Sequence, residues 1–498
     1  MKIIKKYICI LAVFLTVLPL CACEKKDASI ELWLVTEESQ GAGMNQQAEL
    51  MIEWFRELYP DVTIRLDIMP RSQESRSAYL KKIRAEIMSG DGPDLYLLPT
   101  APQLYPEDEV ASTPYMEPLF SSASQMMYNG IFTDISEFYD RDATLGKEGL
   151  VEGVMNAGVM DGGRYVLPLR YDYEVLLVDR NAVEDLGIDP AIFEGSVLDL
   201  YALAETLGEE NAAHALNVWP DYTTTSDYID FETGKIFIDT REIVDLVNGY
   251  NRSYELSNPN AHQEVGQYFY GTWKVLRPAY EGYQCSIDSY IYTISVARRI
   301  FNTCGYPFLR MSLENVVDAS AAIKVQEQDI AMYPVRSADG SVVAEITYYA
   351  AVGSGCKYPE IAYEFLRLFF SEEMQWEQYW PRNAGLGLEG MVEAGFPVRS
   401  KGYANCFWQN KLVDLEADQK ADIKAKNFKY TVRREYLLAE TFTITDEDVP
   451  ILSTHVDEAR FPVISTEGEL FSIYLPTVKD AADAQKIIND LEWSLAEG

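Results

Sequence analysis

The sequence predicts an α/β protein of two lobes, each a mainly parallel sheet flanked by helices, with the chain crossing between them. Three observations carry this. Strand-like and helix-like segments alternate strictly over residues 30–98, the pattern of a parallel sheet with helices on its faces. Two joints containing proline and polar and aromatic residues interrupt apolar stretches further on, around Pro168 and Pro334. The chain has 498 residues and is 48% hydrophobic, long enough for two or more cores and too apolar for disorder.

Before the first strand, Lys2, Lys5 and Lys6 precede an apolar run from Tyr7 to Leu20. Crossing a bilayer needs about 20 apolar residues, so this run reads as a signal-peptide core. It ends in Leu20-Cys21-Ala22-Cys23, which resembles a bacterial lipobox: an aliphatic residue, a small residue before the cut, then cysteine. The Cys23 sulfur would take a diacylglyceryl group, and two acyl chains anchor stably where one does not. Cys21 fits less well, because Leu20 would then stand at the small position. Residues 1–22 are therefore read as signal and 23–29 as a lipidated tether. The 498 residues less the first 22 leave 476, and loss of three lysines takes the charge from −36 to −39. Such acidity repels nucleic acid and anionic lipid, which excludes a DNA- or RNA-binding role. No second apolar stretch of spanning length follows.

Ile30 to Val35 is a compact apolar strand. Ala48, Met51, Ile52, Phe55 and Leu58 then recur at helical spacing, and Tyr59-Pro60-Asp61 stops that helix. Val62 to Ile68 alternates as a second strand, and Leu80, Ile83 and Ile87 mark a helix over Tyr79 to Ser89. Gly90-Asp91-Gly92-Pro93 ends it, and Asp94 to Leu98 is the third strand. Ligands in such sheets sit beyond the carboxyl ends of the strands. Gly163 to Asp179 is two apolar stretches around a polar, aromatic joint, as expected of a lobe crossing. Asp230 to Ile238 reads as a hairpin with a glycine turn, and Thr240 as the cap of a helix reaching Tyr250. Ala331 to Val335, with Ala338-Asp339-Gly340, reads as a second crossing. Ile346 to Val352 is a strand, Pro359 opens a helix, and Asp480 to Leu495 is a terminal amphipathic helix.

Cys285, Cys304, Cys356 and Cys406 are widely spaced without a CxxC pair, and three histidines lack zinc-type spacing. They read as buried thiols or one disulfide; no metal and no cofactor are expected.

In this order, the segments resemble the maltose-binding-protein type of extracellular solute-binding protein, family 1. Trp54 to Ile64 resembles that family's first helix and second strand. Tyr79 to Leu98, reading YLKKIRAEIMSGDGPDLYLL, is similar to its second helix, turn and third strand. Gly163 to Leu186 resembles its first crossing, and Tyr348 to Gln375 its strand, polar turn, proline and helix. The resemblance implies a two-lobed periplasmic-binding-protein-like fold (type II) whose cleft closes on ligand about hinge crossovers. The N-terminal lobe would comprise 30–167 plus 337–440, and the C-terminal lobe 168–336 plus 450–498.

Sugars need directional hydrogen bonds to hydroxyls, which carboxylates and arginine supply, and flat apolar faces, which tyrosine and tryptophan supply. The resemblance puts a ligand-contacting carboxylate at Asp172, which reads equally as a hinge residue capping a turn. Arg170, Tyr171 and Tyr173 surround it. Glu37 and Glu38 follow the first strand with Thr36, as ligand contacts or as solvated surface charges. Trp219, in the loop Trp219-Pro220-Asp221-Tyr222, is a stacking or packing residue. Tyr333 and Arg336 lie at the second crossing, and Arg382-Asn383 follow an aromatic run; each reads as ligand contact or as structural.

The expected role is a monomeric, lipid-anchored protein on the extracellular face of a bacterial membrane. It would carry a small ligand, a mono- or oligosaccharide, to the permease subunits of an ABC importer. Two alternatives stay open: a secreted carbohydrate-active enzyme, and the same fold acting as a ligand sensor for a membrane receptor. A glycosidase needs two carboxylates at set separation, which 78 acidic residues cannot exclude. No GxSxG elbow, P-loop or zinc motif favours catalysis.

Overall fold

A computed structural model of the chain describes residues 30–37, 44–100, 117–196, 198–200, 202–203, 229–230, 235–236, 244, 308–313, 330–337, 340–371, 396–399, 455–461 and, near the C-terminus, 480–483, 485–486 and 489. Strand β1 (Ile30–Glu37) leads to α1 (Met44–Leu58), β2 (Val62–Met69), α2 (Gln73–Ser89) and β3 (Leu95–Pro99). β1 pairs in parallel with both β2 and β3, so the alternating start folds as a parallel three-strand unit. Gly90 ends α2 at φ +82°, a left-handed conformation that favours glycine.

Three short helices follow: α3 (Ala123–Tyr128), α4 (Ser136–Arg141) and α5 (Glu152–Asn156). β4 (Val159–Met160) and β5 (Gly163–Arg164) form a hairpin whose turn residues Asp161 and Gly162 both have positive φ, as a type I′ turn requires. The long β6 (Val166–Asp179) then passes between two cores and ends at α6 (Arg180–Asp185). β7 (Ile229–Asp230) and β8 (Lys235–Ile236) pair as the expected hairpin. β9 (Phe308–Leu313) and β10 (Ile330–Pro334) flank the second half of β6. β11 (Val343–Val352), α7 (Pro359–Leu366), β12 (Phe396–Pro397) and β13 (Glu458–Arg460) complete the described elements.

The main path of the sheet is β10-β6-β11-β3-β1-β2. β11 runs antiparallel to both β3 and β6, so the sheet is mixed: β6 points the same way as the three parallel strands. A large core fills both faces of the first part, from Leu32 and Phe55 to Ile346, Phe365 and Phe369. A smaller core gathers Leu176, Val178, Val183, Phe193 and Ala331 around the second half of β6.

Two local expectations are corrected. Residues 455–461, assigned above to the second lobe, pair through β13 with β11 and bury Val456, Ala459 and Phe461 in the first core. The second helix begins at Gln73 rather than Tyr79, because its first turns are polar and carry no apolar period. The expected cap at Thr240 and the stretch 441–449 between the two lobes' last segments lie outside the described residues.

Candidate functional site

The carboxyl ends of β1 and β3, with the middle of β6, form one edge of the sheet, the edge at which ligands of open α/β sheets bind. A rung of paired residues crosses it: Pro99 of β3, Tyr348 of β11 and Arg170 of β6. One step further, Glu345 stands opposite Asp172. The β11/β6 ladder shifts register between Ile346 and Tyr348 and again between Tyr348 and Tyr349. Such irregularities re-aim side chains and recur beside binding sites. Within this irregularity the Thr347 carbonyl accepts from the Thr100 amide at 2.9 Å. The buried Thr100 hydroxyl donates to the Ile346 carbonyl at 2.6 Å, which ties β3's end to β11.

Along β6, alternation sends Arg170, Asp172 and Glu174 to one face and Tyr171 and Tyr173 to the other. Tyr171 and Tyr173 are buried, stack 6.2 Å apart, and pack on Phe396 of β12. They support the joint from behind. Asp172, Glu174, Glu345 and Tyr348 are half-buried, whereas Arg170 is only 2% exposed. Three carboxylates and a tyrosine thus share the sheet edge where the partners of β6 change, from β11 up to Asp172 to β9 beyond it.

At β1's end the structure departs from the sequence reading. Glu37 is neither a solvated charge nor open to a cleft: it is buried, and Arg76 of α2 takes both its oxygens, at 2.6 and 2.7 Å. Arg76 also donates through Nε to the Glu117 carbonyl at 2.7 Å. Burial pushes the Glu37 carboxyl above its usual range, against the hydrogen bond and charge of Arg76. The pair locks β1's end to the first turn of α2. Thr36, fully buried, donates to the Leu97 carbonyl at 2.8 Å.

At the second crossing Tyr333 is half-buried with its ring 5.6 Å from Phe193, in the smaller core. Arg336 donates to the Gly340 carbonyl at 2.9 Å and so braces its own turn. Trp33 is half-buried under Arg65, whose guanidinium lies 4.5 Å from the ring centroid. Cys23, Glu38, Trp219, Arg382 and Asn383 lie outside the described residues. Glu174, Glu345 and Tyr348 were not among the contacts expected from the sequence. Glu174 follows from alternation with Asp172, but the pairing of Glu345 with a residue 173 positions earlier leaves no local mark. Among the described residues no cluster of three His, Cys, Asp or Glu is arranged to hold a metal ion, and no helix is long and apolar enough to cross a membrane.

The sequence model of the family described as bacterial extracellular solute-binding protein matches residues 36–376, over half of the chain. No curated protein matches the sequence. Among solved structures, a de novo designed cysteine esterase is 12% identical, with 95% of this chain and 99% of that chain covered and a TM-score of 0.52. The galacto-N-biose-/lacto-N-biose I-binding protein of the ABC transporter from Bifidobacterium longum is 12% identical, covering 95% and 99%, with a TM-score of 0.49. An extracellular solute-binding protein family 1 from Alicyclobacillus acidocaldarius is 11% identical, covering 95% and 100%, with a TM-score of 0.45. At these identities a structural likeness speaks of fold and not of activity.

Proposed function

The chain belongs to the family of bacterial extracellular solute-binding proteins, and from that premise we propose that it captures a small ligand, a mono- or oligosaccharide, for an ABC importer. It does so outside the cell, held to the membrane through lipidated Cys23. The observation that carries this reading is β6, one strand that serves two cores and bears its polar face at the change of partners. A strand with partners on both sides holds Asp172 in fixed geometry.

The proposed contacts are Asp172 with Glu174, Glu345 and Tyr348, accepting from ligand hydroxyls and offering an aromatic face. Tyr333 and Arg336 stand where the chain returns between the cores. Glu37 acts at one remove, by fixing Arg76 and the end of β1. Trp219, Arg382 and Asn383 remain candidates on the grounds of sequence alone.

The test is the melting temperature of the chain from Glu24 onward against sugars, oligosaccharides, amino acids and phosphodiesters. A ligand at about a hundred times its Kd stabilises by about 2.7 kcal/mol. A shift with a glycan, recovered unchanged afterwards and lost in Asp172→Ala, is expected. A shift with amino acids or phosphodiesters alone overturns the sugar assignment. Conversion of the glycan into products replaces binder with enzyme.

A further inference from the structure

The amino-terminal edge of the sheet, opposite the candidate site, concentrates exposed apolar side chains. Five large hydrophobic residues are exposed among the described residues: Leu58, Met88, Tyr128, Leu198 and Tyr358. Helices in βαβ units run back along the strands, so Leu58 at the end of α1 and Met88 at the end of α2 both reach this edge. Tyr128 ends α3 and is tied to the same edge through the Ser354 amide, which donates to the Ile131 carbonyl at 2.9 Å. Tyr358 follows Gly355, whose Cβ position would lie 2.7 Å from the carbonyl of Gly90 beyond Met88. Four of the five therefore share one pole, and Leu198 belongs with the second core's segment. Met88 is 87% exposed, beyond anything a core could ask of it.

The first described residue, Ile30, is at this pole, its amide bonded to the Asp61 carbonyl at 3.1 Å. Cys23 is seven residues away in sequence. Whatever their conformation, seven residues reach at most about 25 Å. A chain of this size is roughly 60 Å across, so the pole stays beside any membrane to which Cys23 is fixed. The charge of the whole chain, −36, would oppose contact with anionic lipid. Around this pole, however, exposed Arg56 and Lys357 offset two of the three charges of Glu57, Asp61 and Asp91.

We propose that this pole rests on the lipid surface between encounters with the importer, with Leu58 and Met88 in the interface and Tyr128 and Tyr358 at headgroup level. Tyrosine suits that depth because its ring is apolar and its hydroxyl polar. The proposal rests on lipidation at Cys23.

The experiment places a diazirine-bearing amino acid at Met88 or, as control, at Ser72. Ser72 is exposed at the opposite end of the same helix. The full chain is reconstituted in vesicles of phosphatidylethanolamine and phosphatidylglycerol and irradiated. Mass spectrometry of the N-terminal peptide first reports whether Cys23 carries lipid. If it does not, the anchor reading fails, and the pole is tested by holding the chain through a histidine tag before Glu24 on nickel-chelating lipid. The expected result is several-fold more lipid adduct at 88 than at 72. Equal yields overturn the proposal. Adducts at 88 between two copies of the chain also overturn it, in favour of self-association through this face.

Discussion

Two arginines about two turns apart on α2 use the same group in opposite ways. Arg76 and its partner Glu37 have side chains 3% and 6% exposed, and that guanidinium donates to buried or half-buried oxygens. Arg84 and its partner Glu117 are 40% and 56% exposed, though the bond is just as short at 2.6 Å. Both reach the same returning stretch: Arg76 takes the Glu117 carbonyl, and Arg84 the carbonyls of Pro118 and Leu119. Equal geometry therefore does not mean equal worth. In water the second pair gains little over solvation, whereas in the first neither partner has another place for its charge.

The largest effect is expected from Arg76→Ala, which strands Glu37 in the interior at a cost of about 3–5 kcal/mol in urea unfolding. Its pH dependence gives the sign. A carboxyl whose folded pKa lies above its unfolded value binds protons more readily when folded, so stability falls as pH rises past the unfolded value of 4.5. Loss of Arg76 steepens this, and the deficit of the variant should be smaller at about pH 5 than at about pH 8. An unchanged deficit would mean that Glu37 has found water. Removing both charges, with Glu37→Leu and Arg76→Met, should recover about 2 kcal/mol of the loss, because no buried charge is then left unpaired.

An intermediate case sharpens the gradient. Asp142 is half-buried, accepts from the Thr144 and Leu145 amides, and receives the Tyr363 hydroxyl at 3.1 Å. Arg367 lies 3.6 Å from its carboxylate. Burial pushes this carboxyl up, but the bonds from Thr144 and Tyr363 and the Arg367 charge outweigh it and hold it below its usual range. Its stabilisation is present above the unfolded value of 3.8 and lost as pH falls through the lower folded value. Asp142→Asn should cost about 1 kcal/mol at neutral pH, measured by thermal unfolding, and nothing in strong acid. Arg84→Ala should cost less than about 1 kcal/mol, and added salt should shrink even that. A loss for Arg84→Ala equal to that for Arg76→Ala would sink the comparison.

Much of the fold was legible because its signals are local. Phe55 and Leu80 fall on apolar periods, Gly90 stands where the backbone turns left-handed, and Pro359 opens its helix. What escaped was carried by pairs distant in sequence. Nothing in Glu458–Arg460 announces a strand that lies along Val343–Glu345, since three residues have too little period to read. Glu37 looked like a surface glutamate because its partner is 39 positions away and sits in a helical turn without apolar spacing. Within the candidate site, Asp172 was singled out through the family resemblance alone. Glu345, across the ladder from it, was not.

The insertion of β11 between β3 and β6 has a consequence for synthesis. A ribosome delivers β1, β2 and β3 early and β6 soon after, yet the strand that joins β3 to β6 is completed only at Val352. Until then the edge of β3 offers unpaired backbone groups along Leu95–Pro99, a template for wrong partners. Closing that gap spans some 250 residues, from Leu95 to Val352, so the first core matures late and slowly. The same delay keeps the nascent chain loose, the state in which a polypeptide can be threaded through a narrow pore.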